Sequence, residues 1–343
     1  MHTLKFIDLF AGIGGFRIAL EELGAECVFS SEWDKNAQIT YYENFREQPF
    51  GDITKISSEN IPYHDILAAG FPCQPFSISG KRLGFNDTRG TLFFDIARII
   101  KYHMPKLVIL ENVRNFSTHD QGKTLNVVEN TMYDLGYSFF YKVLNASDYG
   151  LPQNRQRIFM LGFRNDLKVS TYDFPTYNYK SVYLEDFLEN DSKISESLFI
   201  NRPDINIDFE KYDPNFYANK PIRIGTINKG GQGERIYSIK GHAITLSAYG
   251  GGAGSKTGAY YVNGNVRKLS PRECARIQGF PDSFVIPVSN AQAWKQFGNS
   301  IPVNVLRTIL ADIDKKNIIT FPNSETLKFE KKFLPQEEQL ALF

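Results

Sequence analysis

A cysteine between two prolines is the residue of this sequence best suited to covalent chemistry. Cys73 follows the apolar run 65–69, which predicts a buried strand, so its thiol lies just beyond a predicted strand end. Ligands of open α/β sheets bind outside the carboxyl ends of the strands. A lone free cysteine is more often a buried structural residue. The flanking prolines are typical of a stiff turn, however, and favour a chemical role for the thiol.

A carboxyl group and two guanidinium groups are predicted at the same edge of the sheet. Glu111 follows the predicted strand 107–110, and Arg155 and Arg157 stand at the start of another at 157–163. Residues two apart in an extended strand share one face, so this pair of arginines needs an acid or an anionic ligand as its partner. The alternative interpretations are an exposed acid at a strand end and a surface salt bridge.

A thiolate, a carboxyl group and arginines suit one reaction, the alkylation of a cytosine ring at C5. Attack of the Cys73 thiolate on C6 would turn C5 into a carbon nucleophile, and Glu111 would stabilise the charge that develops at N3. An arginine would hold O2 and orient the acid. This hypothesis requires a lowered pKa for the thiol and a raised pKa for the carboxyl group.

A glycine-rich turn and three further residues predict an adenosine site. Residues 6–16 are typical of a strand, a turn in which glycines allow close backbone approach, and a helix start. Glu32 follows the second predicted strand, where a carboxylate can accept from both ribose hydroxyls. Trp33 offers a flat face to adenine, and Asp52 is placed to accept from an exocyclic amine. The turn lacks the glycine spacing of the dinucleotide fingerprint, which favours S-adenosylmethionine over NAD or ATP.

The elements that would position these groups alternate between strands and helices in the first half of the chain. This alternation indicates an α/β fold with a doubly wound, mostly parallel sheet. After about residue 185 the chain becomes rich in Asn, Asp, Pro and Gly, which predicts a smaller, mainly β domain. The predicted strands are 4–10, 26–30, 66–69, 107–110 and 157–163, and the predicted helices are 16–23, 35–45, 91–103, 270–278 and 302–313.

Composition and charge narrow the class of protein. The chain has 343 residues, of which 42% are hydrophobic and 22% charged, as in ordinary globular proteins. It has neither a signal peptide nor an apolar run near 18 residues, so we expect a cytoplasmic protein without a membrane partner. Three scattered cysteines favour neither a disulfide framework nor a metal site. Residues 220–272 hold nine Lys or Arg, one acid and 11 of the 26 glycines, which predicts a polyanion site rather than a solvated loop region.

Six sequence blocks occur in the order found in DNA (cytosine-5)-methyltransferases, and from about residue 4 to 320 the chain resembles that family. The blocks are FIDLFAGIGGF, GFPCQPFS, ENV, QNRQR, RKLSPRECARIQGFP and QFGNSIPVNV. The resemblance implies an S-adenosylmethionine-dependent methyltransferase with a Rossmann-like cofactor-binding catalytic domain and a target-recognition domain. Their implied bounds are 1–186 plus 299–322 for the first, 187–270 for the second, 271–298 for a hinge and 323–343 for a C-terminal tail.

The resemblance also implies the roles of single residues. Cys73 would be the nucleophile, Glu111 the acid at N3, and Arg155 and Arg157 their partners. Residues 76–90 resemble a mobile loop that closes over DNA. The residues implied to surround the cofactor are Phe10, Ala11, Gly12, Ile13, Gly15, Glu32, Trp33, Asp52, Ile53, Pro72, Leu92, Asn299 and Ser300.

Duplex DNA is the implied partner, with the target cytosine flipped out of the helix. Several blocks are nearly identical to those of a family member that modifies GCGC, so we expect a GCGC target. The Ile239-Lys240 pair and His242 differ from what is expected of that member, which leaves the flanking-sequence preference open. The residues implied to contact DNA are Ser79, Arg89, Gln232, Glu234, Arg235, Thr245 and Tyr249.

Rival functions and further partners stay open at this point. An RNA (tRNA) cytosine-5 methyltransferase, a non-catalytic DNA-binding repressor and an NAD oxidoreductase are the rivals. The basic glycine-rich segment disfavours the RNA enzyme, and the intact set of Cys73, Glu111 and Arg155 disfavours the repressor. The glycine spacing of the turn disfavours the oxidoreductase.

A cognate restriction endonuclease would be a genetic partner in a bacterial restriction–modification system, with the protein at the nucleoid. Gln339 to Phe343 resemble the pentapeptide by which bacterial proteins bind the replication sliding clamp, unless this tail packs on the body instead.

Overall fold

Six strands form a doubly wound, mostly parallel sheet, as the sequence predicts. The computed structural model describes residues 3–72, 92–176 and 180–323. In the order β2-β1-β3-β4-β6-β5, the first four strands are parallel and β6 runs antiparallel to both of its neighbours. These strands are β1 (Lys5–Leu9), β2 (Glu26–Ser31), β3 (Ile66–Gly70), β4 (Leu107–Val113), β5 (Tyr137–Asn145) and β6 (Gln156–Arg164).

Helices cover both faces of this sheet, which explains why its central strands are continuously apolar. Along β3, Ile66 faces one apolar cluster and Leu67 the other, and both are fully buried. The last helix packs on the first, so the C-terminal part of the described chain returns to this sheet. The helices are α1 (Gly15–Glu22), α2 (Lys35–Phe45), α3 (Leu92–His103), α4 (Lys123–Asp134), α5 (Pro271–Arg276), α6 (Asn290–Asn299) and α7 (Val303–Lys315).

Capping residues set the helix ends that matter for the cleft described below. The Asp34 side chain accepts from the Asn36 and Ala37 amides and begins α2. Ser270 and Glu273 form a capping box around Pro271 at the start of α5. Both helices therefore begin where the sequence places a capping side chain, and α5 has a first-turn proline as well.

A second, five-stranded sheet follows in the chain. Its order is β11-β10-β9-β8-β7, with only the β9–β10 pair parallel among its neighbours. A separate apolar cluster that includes Ile224, Ile236 and Ala259 packs on it. The mainly β character of this region agrees with the sequence, and the exact domain bounds stay a prediction. The strands are β7 (Ile205–Ile207), β8 (Ile222–Ile227), β9 (Arg235–Ser238), β10 (Ala259–Val262) and β11 (Asn265–Arg267).

The structure differs from the sequence-based prediction in three elements and one boundary. The sequence did not predict β5, α4 or α6. β5 is an edge strand with exposed residues at its centre, so it lacks the apolar run by which the other strands are recognised. β4 continues to Val113, beyond the predicted end at residue 110, because it pairs with β6 over its whole length. Among the described helices, none has the length and apolarity needed to cross a membrane.

Candidate active site

The carboxyl ends of the parallel strands open onto a cleft of about 420 Å³, a size typical of small-molecule sites. β1 lies between β2 and β3, so the cleft sits where successive connections leave the sheet in opposite directions. Every residue that the resemblance places around the cofactor lines this cleft, from Phe10 to Ser300. Glu111, Arg157 and Tyr249 line it as well.

The turn after β1 has the left-handed backbone that glycine favours. Phe10, Gly12 and Gly14 have φ angles of 56°, 56° and 86°. A Cβ at Gly12 would meet no atom within 4 Å, whereas a Cβ at Gly15 would lie 2.7 Å from the Ile301 side chain. Glycine therefore serves two purposes here. It leaves room for a ligand at Gly12, and it allows tight packing against the returning chain at Gly15.

Glu32 is held by backbone amides on the wall of the cleft beside this turn. One carboxylate oxygen accepts from the Gly12 amide at 2.8 Å and the other from the Asp34 amide at 2.8 Å. Burial raises the pKa of Glu32, and these backbone hydrogen bonds oppose the rise. Each oxygen keeps acceptor capacity for a ligand hydroxyl. Trp33 next to it is 67% exposed, so its ring is free for stacking.

Asp52 has a structural contact that the sequence analysis did not foresee. Its Oδ1 accepts from the amide of Thr54 at 3.0 Å and from the hydroxyl of Thr54 at 2.8 Å. It thereby caps the short 3₁₀ turn Ile53–Lys55 that borders the cleft. These hydrogen bonds lower the pKa of Asp52, so the carboxylate stays charged at the cleft wall.

Glu111 and Arg157 form an ion pair on the opposite wall of the cleft. Arg157 Nε lies 3.1 Å from Glu111 Oε1. Burial raises the pKa of Glu111, and the neighbouring guanidinium groups of Arg157 and Arg155 reduce this rise. Glu111 does not follow the strand as predicted but lies within β4, in register with Gly70 at the end of β3. The residue is nevertheless at the predicted edge, because β3 ends beside it.

Arg155 lies behind the lining of the cleft, and its predicted catalytic role stays a prediction. It does not line the cleft beside Arg157. Its side chain is buried, and its terminal nitrogens donate to the carbonyls of Leu246, Gly298 and Ser300. β6 begins at Gln156, one residue after Arg155. Arg155 therefore joins chain segments behind the cleft, while its charge still acts on Glu111, and Arg157 makes the direct ion pair with the acid.

Asn112 is a cleft residue that the sequence analysis missed. Its side-chain amide is buried and donates to the Phe71 carbonyl at 2.8 Å. Pro72, the next residue, lines the cleft, and Cys73 is covalently attached to it. The ENV block that contains Asn112 was the available signal, but the sequence alone did not reveal which backbone group it contacts.

Several predicted residues lie outside the described part of the chain. They are Cys73, Ser79 and Arg89 with the rest of the 76–90 loop, and the tail residues Gln339 to Phe343. Their predicted roles stay predictions.

Two glycine-rich loops in the second sheet region pack backbone against backbone. A Cβ at Gly233 would lie 2.1 Å from the Gly251 carbonyl oxygen, so only glycine allows this approach. Glu234 accepts from the Gly231 amide at 3.1 Å and from Asn228 Nδ2 at 3.2 Å, which shapes the first loop. Gln232 on this loop and Arg235 at the start of β9 are both exposed, as residues that contact DNA must be.

Thr245 and Tyr249 lie on a segment that passes the cleft. Tyr249 is 79% exposed and lines the cleft opening. The Thr245 hydroxyl donates to the Asn154 carbonyl, so its oxygen remains able to accept but its hydrogen is used. The structure thus brings two of the predicted DNA contacts next to the segment that carries the arginines.

Lys240 and His242 are engaged within the protein. Lys240 Nζ donates to Glu185 at 2.5 Å and to the Tyr217 hydroxyl at 2.8 Å. His242 is buried, and burial lowers its pKa. These positions therefore contribute to packing between segments, and the nine cations counted in 220–272 overstate the charge available to a polyanion.

Comparison with known proteins assigns this architecture to one family. The family model for C-5 cytosine-specific DNA methylase matches residues 4–315. The type II methyltransferase M.HhaI from Haemophilus parahaemolyticus is 58% identical over 90% of this chain and 94% of its own length. The type II methyltransferase M.DsaV from Dactylococcopsis salina is 46% identical over 89% of this chain and 84% of its own.

Solved structures agree in fold. The crystal structure of S. pombe Dnmt2 methyltransferase matches with a TM-score of 0.68 at 18% identity, covering 92% of this chain and 99% of that one. A putative DNA modification methyltransferase encoded within an E. coli prophage matches with a TM-score of 0.65 at 23% identity, over 90% and 97% of the two chains. At these identities the likeness shows the fold alone.

Proposed function

The chain belongs to the family of C-5 cytosine-specific DNA methylases, and on that premise we propose that it methylates C5 of a flipped cytosine within GCGC in duplex DNA. The enzyme class, DNA cytosine-5 methyltransferase, follows from the family match and the 58% identical relative. The methyl donor, the covalent mechanism, the target sequence and the residue roles are the finer parts of the proposal.

The wall around Glu32 suits the adenosine part of S-adenosylmethionine. Glu32 would accept from the ribose hydroxyls with the lone pairs that its two backbone partners leave free. Trp33 would stack on adenine, and the open space at Gly12 would admit the ligand close to the backbone. When bound, this cofactor supplies an electrophilic methyl group and leaves as S-adenosylhomocysteine. No pyrophosphate or metal is required by this arrangement.

The wall around Glu111 suits a cytosine ring. Glu111 would share a proton with N3, and Arg157 would hold the acid in place and donate to O2. The Cys73 thiolate would form a bond to C6, which places an electron pair on C5. That pair would then form the new bond between C5 and the carbon of the transferred methyl group. Loss of the C5 proton and cleavage of the Cys73–C6 bond would restore the ring and the thiolate.

The Glu111–Arg157 pair carries this proposal, because it sets a buried carboxyl group with a raised pKa across the cleft from the adenosine wall. The decisive experiment is methylation of a panel of defined duplexes with labelled S-adenosylmethionine, followed by mapping of the modified base. We expect label at C5 of the inner cytosine of GCGC. Equal methylation of duplexes that lack GCGC would reject the target.

The covalent step has its own test. Duplexes with 5-fluorocytosine at the target should trap the wild-type protein and should not trap Cys73→Ser, which we expect to lose turnover. Full turnover of Cys73→Ser would reject the covalent mechanism. Wild-type protein that binds DNA without trapping would favour a repressor, and preferential labelling of tRNA would favour an RNA methyltransferase.

The remaining partners are proposed on sequence and relatives. The type II methyltransferases among its relatives suggest that the protein is the modification arm of a restriction–modification system at the bacterial nucleoid. A cognate endonuclease would then recognise the same site. The segment from Gln339 to Phe343 resembles a clamp-binding peptide. We therefore expect the full chain to retain the sliding clamp in a pull-down, and a chain truncated after residue 338 not to retain it. Equal retention by both would refute this contact.

A further inference from the structure

The segment that leads into β6 is joined to a distant segment, residues 243–246, by main-chain hydrogen bonds. The Ala243 amide donates to the Pro152 carbonyl at 2.6 Å, and the Asn154 amide donates to the Ala243 carbonyl at 3.0 Å. Gln153 and Ala243 form a parallel bridge. Residues almost a hundred positions apart in sequence therefore run side by side behind the cleft.

Two side chains from the segment that leads into β6 bind the backbone amide and the backbone carbonyl of one residue, Leu246. The Leu246 amide donates to Gln153 Oε1 at 3.2 Å, and the Leu246 carbonyl accepts from Arg155 at 3.0 Å. Gln153 is fully buried, and its Nε2 donates to the Ile277 carbonyl at 3.0 Å. Gln153 thus joins three chain segments through one amide group.

The residue that is held in this way lies in the middle of the segment that faces DNA in the proposed function. Leu246 follows Thr245, and three residues later Tyr249 reaches the cleft opening. The same segment is pressed against the end of α6, where a Cβ at Gly298 would lie 2.4 Å from the Ser247 carbonyl carbon. The position of Thr245 and Tyr249 relative to Arg157 and Glu111 therefore depends on the contacts at Leu246.

We propose that Gln153 is a positioning residue that fixes the DNA-contacting segment 245–249 relative to the Glu111–Arg157 pair. Gln153 touches neither the cleft nor the reacting atoms, so it acts through the Leu246 peptide and the Ile277 carbonyl. Arg155 is the second half of this contact and also holds Gly298 and Ser300. Loss of Gln153 should impair productive DNA engagement more than the chemical step or cofactor binding.

The test compares Gln153→Met with the wild-type enzyme on GCGC duplexes and on duplexes with one substituted base pair. We expect the KM for DNA to rise about five- to tenfold, as for the loss of one or two buried hydrogen bonds. We also expect the preference for GCGC to fall. The kcat at saturating DNA should change less than KM, and the Kd for S-adenosylhomocysteine should stay unchanged.

Gln278→Met is the matched control, because Gln278 is equally buried and its side chain donates to the Phe297 carbonyl at 2.7 Å rather than bonding the Leu246 peptide. It should lower the melting temperature to a similar degree with no rise in the KM for DNA. An equal KM rise in both variants would overturn the inference, as would a Gln153→Met enzyme with wild-type KM and wild-type preference.

Gln153→Glu keeps the assay informative if Gln153→Met does not fold. Its carboxylate can accept from the Leu246 amide but cannot donate to the Ile277 carbonyl until it is protonated. Its KM defect relative to wild type should therefore shrink as pH falls, and a pH-independent defect would count against the proposal. The inference rests on the proposed function. A wild-type enzyme that methylates no duplex rejects both, whereas an active wild type with indifferent Gln153 variants rejects the inference alone.

Discussion

Two buried carboxyl groups face the same cleft and are held in different ways. Glu32 accepts from two backbone amides, which fix its position and keep its oxygens directed at a ligand. Among the described residues Glu111 has one ion-pair partner, Arg157, and burial raises the pKa of Glu111. The first arrangement suits permanent hydrogen-bond acceptance, and the second suits a group that gains and shares a proton. In the proposed function, cofactor binding therefore lies at the β2 side of the cleft and the chemistry at the β4 side.

The contrast between the two carboxyl groups predicts its largest effect at Glu111, on the side of the cleft proposed for the chemistry. Glu111→Gln keeps the size of the side chain and an acceptor for Arg157 but removes the exchangeable proton. Because a positioned acid contributes about 10²–10⁴-fold to rate, we expect kcat to fall by that order. The Kd for S-adenosylhomocysteine should stay unchanged, since the side chain lies across the cleft from Glu32. Single-turnover methylation and calorimetric titration measure the two quantities.

A Glu111→Gln enzyme with a normal methylation rate would remove Glu111 from the mechanism. If Glu111→Gln lowered cofactor affinity as strongly as it lowered the methylation rate, the separate roles proposed for Glu32 and Glu111 would be wrong. The matched control is Glu59→Gln, an exposed carboxylate outside the cleft, which should change neither quantity.

The second prediction concerns the binding wall. Glu32→Gln replaces one acceptor oxygen by a donor that opposes a backbone amide, so one of the two fixed contacts must break. Hydrogen bonds to charged groups contribute about 1.5–3 kcal/mol, so the Kd for the cofactor should rise about 10- to 100-fold. The kcat at saturating cofactor should remain within the range of wild type. A fall in kcat with unchanged affinity would reverse the roles proposed for the two carboxyl groups.

The binding wall was predictable from sequence because its residues follow strand ends one after another. The strand before Phe10, the acid Glu32 after the second strand and the turn before Cys73 are each local patterns. Antiparallel pairing with β6 lengthened β4 beyond its apolar run, so the predicted position of Glu111 was right in space but wrong in secondary structure. Periodicity within one segment does not record a partner in another.

Arg155 shows the limit of sequence reasoning more sharply. Its spacing from Arg157 suggested a shared face, but its carbonyl partners come from residues 246, 298 and 300. Those contacts form only when the returning chain and the second sheet region pack on the first sheet. No property of the local sequence distinguishes a guanidinium that faces a cleft from one that joins distant segments.

The third prediction uses the raised pKa of Glu111. The folded protein keeps this proton at pH values where the unfolded chain, near its ordinary value of 4.5, has already released it. Unfolding therefore releases a proton in that window, and this residue makes the free energy of unfolding fall as pH rises through it. Glu111→Gln lacks this dependence. Its stability relative to wild type should therefore increase from below pH 4.5 toward neutral pH.

Thermal melts of both proteins across this pH range test the sign. Only the slope of the stability difference with pH is diagnostic, because a constant offset between the two side chains says nothing about the pKa of Glu111. A stability difference between Glu111→Gln and wild type that stayed constant with pH would mean that the folded protein does not raise the pKa of Glu111. The Glu111–Arg157 pair would then behave as a merely structural ion pair.

The smallest effect is expected at Lys240, one of the positions for which the sequence analysis leaves the flanking-sequence preference open. If Lys240 contacted DNA, its removal would weaken binding and alter the preference for flanking bases. Its ammonium group is instead held by Glu185 and Tyr217, with the Tyr217 ring 4.8 Å away. Lys240→Met should therefore leave the flanking preference and the salt dependence of DNA binding unchanged. It should lower stability by about 1 kcal/mol or less, as for other partly exposed ion pairs.

Lys229→Met, which removes an exposed cation from the first glycine-rich loop, is the matched control and should reduce the salt dependence of DNA binding. If Lys240→Met changed the flanking preference and Lys229→Met did not, the Lys240 contacts would have to open on DNA binding. The DNA-contacting part of this region would then include Lys240, directly after β9.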